Sequence, residues 1–168
     1  LGYLSNIVKN SSKTDNVLGS CLTKANANAE LDAVRLAFQS FHVMEGITEG
    51  PDRKVQILSA MNLARQSINT DPKEAYAHFA MARIQFVTGN CQTGRQHSRH
   101  AVEANPYDPV ILAVLGNFTA TCGYSEGGAM LDRAYAFRSP GESHARLSLI
   151  LAAIWQKRFD RLQVLRED

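Results

Sequence analysis

Pro72, Pro106 and Pro140 follow one another at a constant interval, and Gly89 and Gly123 keep the same interval, each falling midway between two of these prolines. Of everything in this 168-residue chain, that spacing constrains the fold most. Proline cannot continue a helix, because it has no N–H to donate and its ring clashes with the preceding turn. Glycine readily takes the left-handed backbone that closes a helix. The segments between these marks are of ordinary helix length and carry apolar residues at helical spacing. A helix–turn–helix unit repeated at such a period cannot bury both of its faces alone, so neighbouring units must stack and share a core.

Composition agrees with a soluble globular chain: 45% hydrophobic, 20% charged, long enough for one domain. A formal charge of +2 gives no strong field toward nucleic acid or anionic lipid, so no nucleic-acid partner is expected through this domain. No apolar run reaches the length of a membrane span and no signal peptide is visible, so no direct membrane insertion is expected. The chain opens at Leu1 without a methionine, as expected of an excised segment or a processed product.

Residues 1–28 read as a helical lead-in. Leu4, Ile7 and Val8 form one apolar turn, and Asp15 caps a short helix with Val17, Leu18, Cys21, Leu22 and Ala25 on its apolar face. The repeat domain is predicted over 29–168. It starts with an atypical pair over 29–71. The first helix, 29–46, places Leu31, Val34, Phe38 and Phe41 on one face. The second, about 53–69, is capped by Asp52, with Val55, Leu58, Met61 and Ile68 as buried candidates. Counting one full period back from Pro72 lands on Phe38, inside a helix, so this pair has a different length.

The repeat over 72–105 holds Ala75, Tyr76, Phe79, Ala82 and Phe86 in its first helix, turns at Gly89-Asn90, and lines its second helix with Gly94, Ser98, Ala101 and Val102. The repeat over 106–139 has Leu112, Leu115, Gly116 and Phe118, then the turn at Gly123, then Gly128, Leu131 and Ala134. A partial repeat over 140–168 carries Leu147, Leu149, Ile150, Ala153 and Trp155, followed by a second helix from Asp160 to Arg166.

Leu112-x-x-Leu115-Gly116 with Gly123, Gly128 and Pro140 resembles the tetratricopeptide repeat, and Met81-Ala82, Gly89, Gly94, Ala101 and Pro106 match it more loosely. The chain departs from that pattern at Gln85 and Thr119, where an aromatic is expected, and at Gly94 and Gly128, which replace an alanine. The resemblance implies an all-α superhelix, a solenoid of antiparallel helix pairs whose first helices line a concave groove. Carried over by register, the groove residues are Tyr76, Phe79, Arg83 and Phe86, then Val110, Ala113, Asn117 and Ala120, then His144, Leu147 and Leu151. A groove so apolar suits a peptide or an amphipathic helix from a protein partner. The lysines of chaperone-tail-binding repeats are missing, since Phe79, Arg83, Ala113 and Asn117 hold those positions.

The functional expectation is therefore a protein–protein interaction module without enzymatic activity, within a larger bacterial signalling or regulatory protein. Asn105-Pro106-x-Asp108-Pro109, Leu115-Gly116 and Gly123-x-x-Glu126-Gly127 are similar to repeats appended to membrane-anchored winged-helix transcription factors and class III nucleotide cyclases. The alternative is a structural scaffold subunit packed permanently in an assembly, and a homo-oligomer stays open.

His97, His100 and Glu103 share a helical spacing that chelates metal, but Arg95 and Arg99 on the same helix disfavour a cation, and an exposed polar stripe is the expected reading. No phosphate loop, nucleophile elbow or paired zinc-ligand motif is present, so no catalytic, cofactor or metal residues are expected. Asn10-Ser11-Ser12 and Asn117-Phe118-Thr119 are glycosylation sequons, the second inside a helix. Cys91 starts one second helix and Cys122 ends the next first helix. They either form a disulfide, on the periplasmic side of a membrane-anchored protein, or stay as buried thiols in a cytoplasm. Cys21 is left over.

Overall fold

A computed structural model describes residues 29–47, 50–138 and 143–167. The lead-in expected over 1–28, with Cys21 and the Asn10 sequon, lies outside the described residues, as does Pro140. Eight helices are described: α1 Ala29–Glu45, α2 Arg53–Thr70, α3 Ala75–Val87, α4 Cys91–Ala104, α5 Pro109–Thr121, α6 Glu126–Phe137, α7 Ser143–Trp155 and α8 Phe159–Glu167. No strand occurs among the described residues. The chain forms two compact units, one up to Ala80 and the other from Met81, so the boundary falls within α3.

In the first unit α1 and α2 meet through small side chains, with Ala33, Ala37 and Ser40 buried on one helix and Ala60, Ala64 and Ser67 on the other. Close approach lets two hydroxyls cross between helices: Ser40 Oγ donates to the Ala60 carbonyl at 2.7 Å, and Ser67 Oγ to the Ala33 carbonyl at 2.5 Å. Each such bond adds about 0.5–1.5 kcal/mol net. These contacts correct the expected face of α2. Ile57, Ala60, Ala64 and Ser67 point inward, while Val55 and Leu58 stand in solvent. The larger apolar residues give way to the small ones because only short side chains allow the hydroxyl–carbonyl bonds. Phe38 and Phe41 then face α3, with ring centroids 5.0 Å from Tyr76 and 5.7 Å from Phe79.

In the second unit consecutive first helices also touch. Phe86 of α3 stacks on Phe118 of α5 at 5.5 Å, and Asn117 Nδ2 of α5 donates to the Ser148 carbonyl of α7 at 2.7 Å. Within pairs, glycine provides the contact. A Cβ on Gly94 would stand 2.7 Å from the Phe86 ring, and one on Gly116 would press on Leu131, Gly127 and Met130 at 3.0–3.1 Å. The expected small contact at Gly128 is instead made by Gly127, where a Cβ would run into the Ala120 backbone nitrogen. Nothing lies within 4 Å of a Cβ built on Gly128. The first turn of α6 is tight, with Gly127 and Gly128 donating to the Tyr124 and Ser125 carbonyls, three positions back. Gly94 donates four positions back, to Asn90. The tighter winding rotates the helix and brings the earlier glycine to the contact.

The turns repeat bond for bond. Gly89 N–H goes to Phe86 and Asn90 N–H to Gln85; Gly123 goes to Ala120 and Tyr124 to Thr119; Lys157 goes to Ile154 and Arg158 to Ala153. This is the Schellman cap, which satisfies the last carbonyls of a helix. Helix starts repeat as well. The Glu74 carboxylate accepts from Ala77 N–H at 2.5 Å, and Asp108, one repeat later, accepts from Val110 and Ile111 at 2.8 and 3.0 Å.

Candidate protein-interaction surface

The residues carried over as a groove do not share one open face. Phe79 is 1% exposed and Phe86 7%, which corrects both as partner anchors. Phe79 is covered by Phe41 and meets Tyr76 edge-on at 6.1 Å, while Phe86 is held between Phe118 and Gly94. Ala113 is fully buried. Asn117 is half-buried and spends its amide on α7. That bond also engages the sequon asparagine, and Thr119 beside it is buried. Tyr76, Arg83 and Val110 are half-buried. Tyr76 and Phe79 belong to the first unit; Arg83, Phe86, Val110, Ala113, Asn117 and Leu147 belong to the second. His144 lies on α7, but its side chain is outside the described part.

Among the carried-over residues whose side chains are described, Leu147 and Leu151 stand well out in solvent, and the two have company. Leu147, Leu151 and Ile154 are 63%, 50% and 49% exposed. At spacings of four and three they form one stripe along α7. Trp155, Phe159 and Val164 add further exposed apolar side chains on the same hairpin. One repeat earlier the stripe reads Ala113, Asn117, Ala120. Its central residue is the one that reaches α7. The position from which Asn117 reaches α7 is, on α7 itself, held by the exposed Leu151. Helical periodicity alone does not mark Ile154 and Trp155 as surface residues. Aligning the units on their turn glycines and comparing side-chain size along the stripe finds them.

The second unit is also tied by charge and by a covalent bond. Cys91 Sγ is bonded to Cys122 Sγ, with the α-carbons 6.0 Å apart. One turn along α4, Arg95 Nε donates to Glu126 Oε1, and Arg99 reaches the same oxygen at 3.3 Å. The Arg95 guanidinium also lies over the Tyr124 ring at 4.2 Å. The hydrogen bond from Arg95 holds the Glu126 carboxyl below the usual glutamate range, against a smaller opposing push from burial. Farther along, Arg161 of α8 pairs with Asp132 of α6 at 2.6 Å and covers Tyr135 at 4.8 Å. His100 and Glu103 make a weak exposed pair at 3.8 Å, and no cluster of metal-ligand side chains occurs among the described residues. No helix among them is long and apolar enough to cross a membrane.

Helix pairs on a constant period, closed by one recurring cap and stacked through their first helices, define a tetratricopeptide-like helical repeat protein. The crystal structure of MamA is similar: TM-score 0.55 at 15% sequence identity, covering 90% of this chain and 81% of that one. At that identity the likeness is one of fold. No family profile matches the sequence, and no curated protein matches it.

Proposed function

We propose that this chain is a protein-interaction module, part of a larger bacterial signalling or regulatory protein, whose working surface is the apolar stripe on α7. One observation carries the reading: Leu147, Leu151 and Ile154 stand in water on a helix whose other face is buried. Covering a leucine or isoleucine side chain gains about 1.5–3 kcal/mol, so this stripe is a strong driver of association. The repeat fold supports it, because such units bind through side chains presented by stacked helices. The reading assigns no catalysis. A disulfide within the second unit favours an oxidising compartment, since such bonds persist there and are reduced in most cytosols.

The test is native isolation of the protein from its source cells followed by size-exclusion chromatography. The expected result is co-elution with a different protein at fixed stoichiometry. A partner that stays through extended washing marks a permanent scaffold subunit, and one that exchanges marks a signalling contact. Elution as a lone monomer at every stage of growth overturns the proposal.

A further inference from the structure

We infer that the Cys91–Cys122 bridge is a site of thiol–disulfide exchange with one preferred course: a small thiol attaches to Cys122, and Cys91 leaves as the thiolate. This stands apart from the interaction-module reading, since it concerns neither α7 nor a protein partner.

The two sulfurs sit at opposite kinds of helix end. Cys91 is the first residue of α4, and Cys122 caps the C-terminal end of α5. The first N–H groups of a helix have no acceptor within it, and that end carries a partial positive charge; the far end carries a partial negative one. The start of α4 is left open. Asn90 makes no side-chain cap there, giving its amide to Thr88 Oγ1 at 3.2 Å, and no acidic residue stands in the first turn. Arg95, one turn along, is paired with Glu126, so the two add little net charge. Charge appearing on the Cys91 sulfur is therefore stabilised by backbone donors, as thiolates at helix starts are. At Cys122 the helix end offers carbonyls instead, and the Cys122 N–H is already given to Phe118 at 3.0 Å.

Both cysteines are half-buried, while Asn90 and Gln92 beside one and Thr121 and Gly123 beside the other are exposed. A small thiol can therefore approach with the helices in place. Its thiolate attacks Cys122 Sγ; a bond forms between those two sulfurs, the Cys91–Cys122 bond breaks, and its electron pair leaves on Cys91. The sulfur with the lower pKa leaves faster, which selects this course over attack on Cys91. A second small thiolate then attacks the attached sulfur, releasing the small disulfide and the Cys122 thiolate. Two small thiols are oxidised, the bridge is reduced, and solvent exchanges the protons.

The probe is reduced glutathione, applied briefly to the Cys21→Ser chain, in which only Cys91 and Cys122 remain. N-ethylmaleimide quenches the reaction, and peptide mass spectrometry locates both labels. The expected product carries glutathione on Cys122 and maleimide on Cys91, at least about fivefold over the reverse arrangement, with the helical circular dichroism retained. In urea that unfolds the chain, the two arrangements should become about equal, because the helix ends are gone. Asn90→Asp sets a carboxylate at the start of α4 and should at least roughly halve the preference; aspartate caps a helix as well as asparagine does, so the fold is kept. Glutathione chiefly on Cys91, or equally on both in the folded chain, overturns the inference. So does a preference unchanged by urea or by Asn90→Asp, since the helix end is then not its cause. A mixed disulfide that forms only in urea also overturns it, because the bridge is then closed to thiols in the folded protein.

Discussion

Lys157 holds, at φ 55°, the turn position that Gly89 and Gly123 hold at 84° and 82°. A side chain in the left-handed region crowds its Cβ against the following carbonyl, at roughly 1–2 kcal/mol. Glycine avoids that cost but loses about 0.5–1 kcal/mol more backbone entropy on folding. Lys157→Gly is therefore expected to stabilise the chain by about 0.5–1 kcal/mol, and Gly123→Ala to destabilise it by a similar amount. Thermal melts followed by circular dichroism read both; a lower midpoint for Lys157→Gly contradicts the shared-cap assignment. Glu126 makes a residue-scale prediction in pH. Arg95 depresses its carboxyl, so the stability from this link is complete above the ordinary glutamate range and is lost as pH falls through the lowered value. Glu74 runs the other way. Burial, its largest influence, raises its carboxyl, so its charge opposes folding at neutral pH, and that cost is relieved as pH falls. Urea midpoints measured from about pH 7 to about pH 3 should therefore fall less steeply in Glu126→Gln than in the parent, and more steeply in Glu74→Gln.

Elements test the helix contacts one glycine at a time. Gly127→Ala drives a Cβ against the Ala120 backbone, which cannot swing aside as a side chain can. The expected cost is on the order of 1–3 kcal/mol, as for overpacking generally. Gly128→Ala, its neighbour, meets open space and should gain about 0.5–1 kcal/mol from helix propensity. Gly116→Leu should lose on the order of 1–3 kcal/mol against Leu131 and Met130. Denaturant midpoints of the three variants decide the register of α5 on α6, and equal effects at Gly127 and Gly128 would show it to be misassigned. The same contrast shows what is legible in the sequence. Proline and glycine act on the backbone in place, so their regular spacing locates the helices and turns of 72–138 closely. Contacts between helices depend on winding and offset, which spacing does not carry. Phe38 meets Tyr76 and Phe41 meets Phe79, both at separations longer than the repeat. Phe86 meets Phe118, and Asn117 meets Ser148, at separations shorter than it. A groove transferred by one fixed register therefore puts Phe79 and Phe86 in the open, where the true offsets turn them onto neighbouring aromatics. The α2 face departs from its apolar pattern for a related reason: two serines that bond across to backbone carbonyls outweigh a longer apolar stripe.

At the scale of the whole molecule, the Cys91–Cys122 bond and the Arg95–Glu126 pair both join α4 to the α5–α6 turn region, at the same sequence separation of 31 and entirely within the second unit. A cross-link closing a loop of that size restricts the unfolded chain and typically stabilises the folded one by roughly 2–4 kcal/mol. Its loss should therefore be felt unevenly along the chain. Reduction, or the double substitution Cys91→Ser with Cys122→Ser, is expected to speed amide hydrogen exchange in α4, α5 and α6. Amides of α1 and α2, held by the two serine–carbonyl bonds and the packed alanines of the first unit, should keep their protection. The ion pair persists when the bridge is cut, so Glu126→Gln in the reduced protein should add a further, smaller loss that depends on salt, as a partly exposed pair does. Hydrogen exchange measured with and without a thiol reductant, at low and high ionic strength, separates the two contributions. Equal acceleration in α1–α2 and α4–α6 would mean that the two units unfold as one and that the bridge stabilises the entire chain. Unchanged exchange everywhere would mean that stacking alone, through Phe86 on Phe118 and the glycine contacts, holds the second unit together.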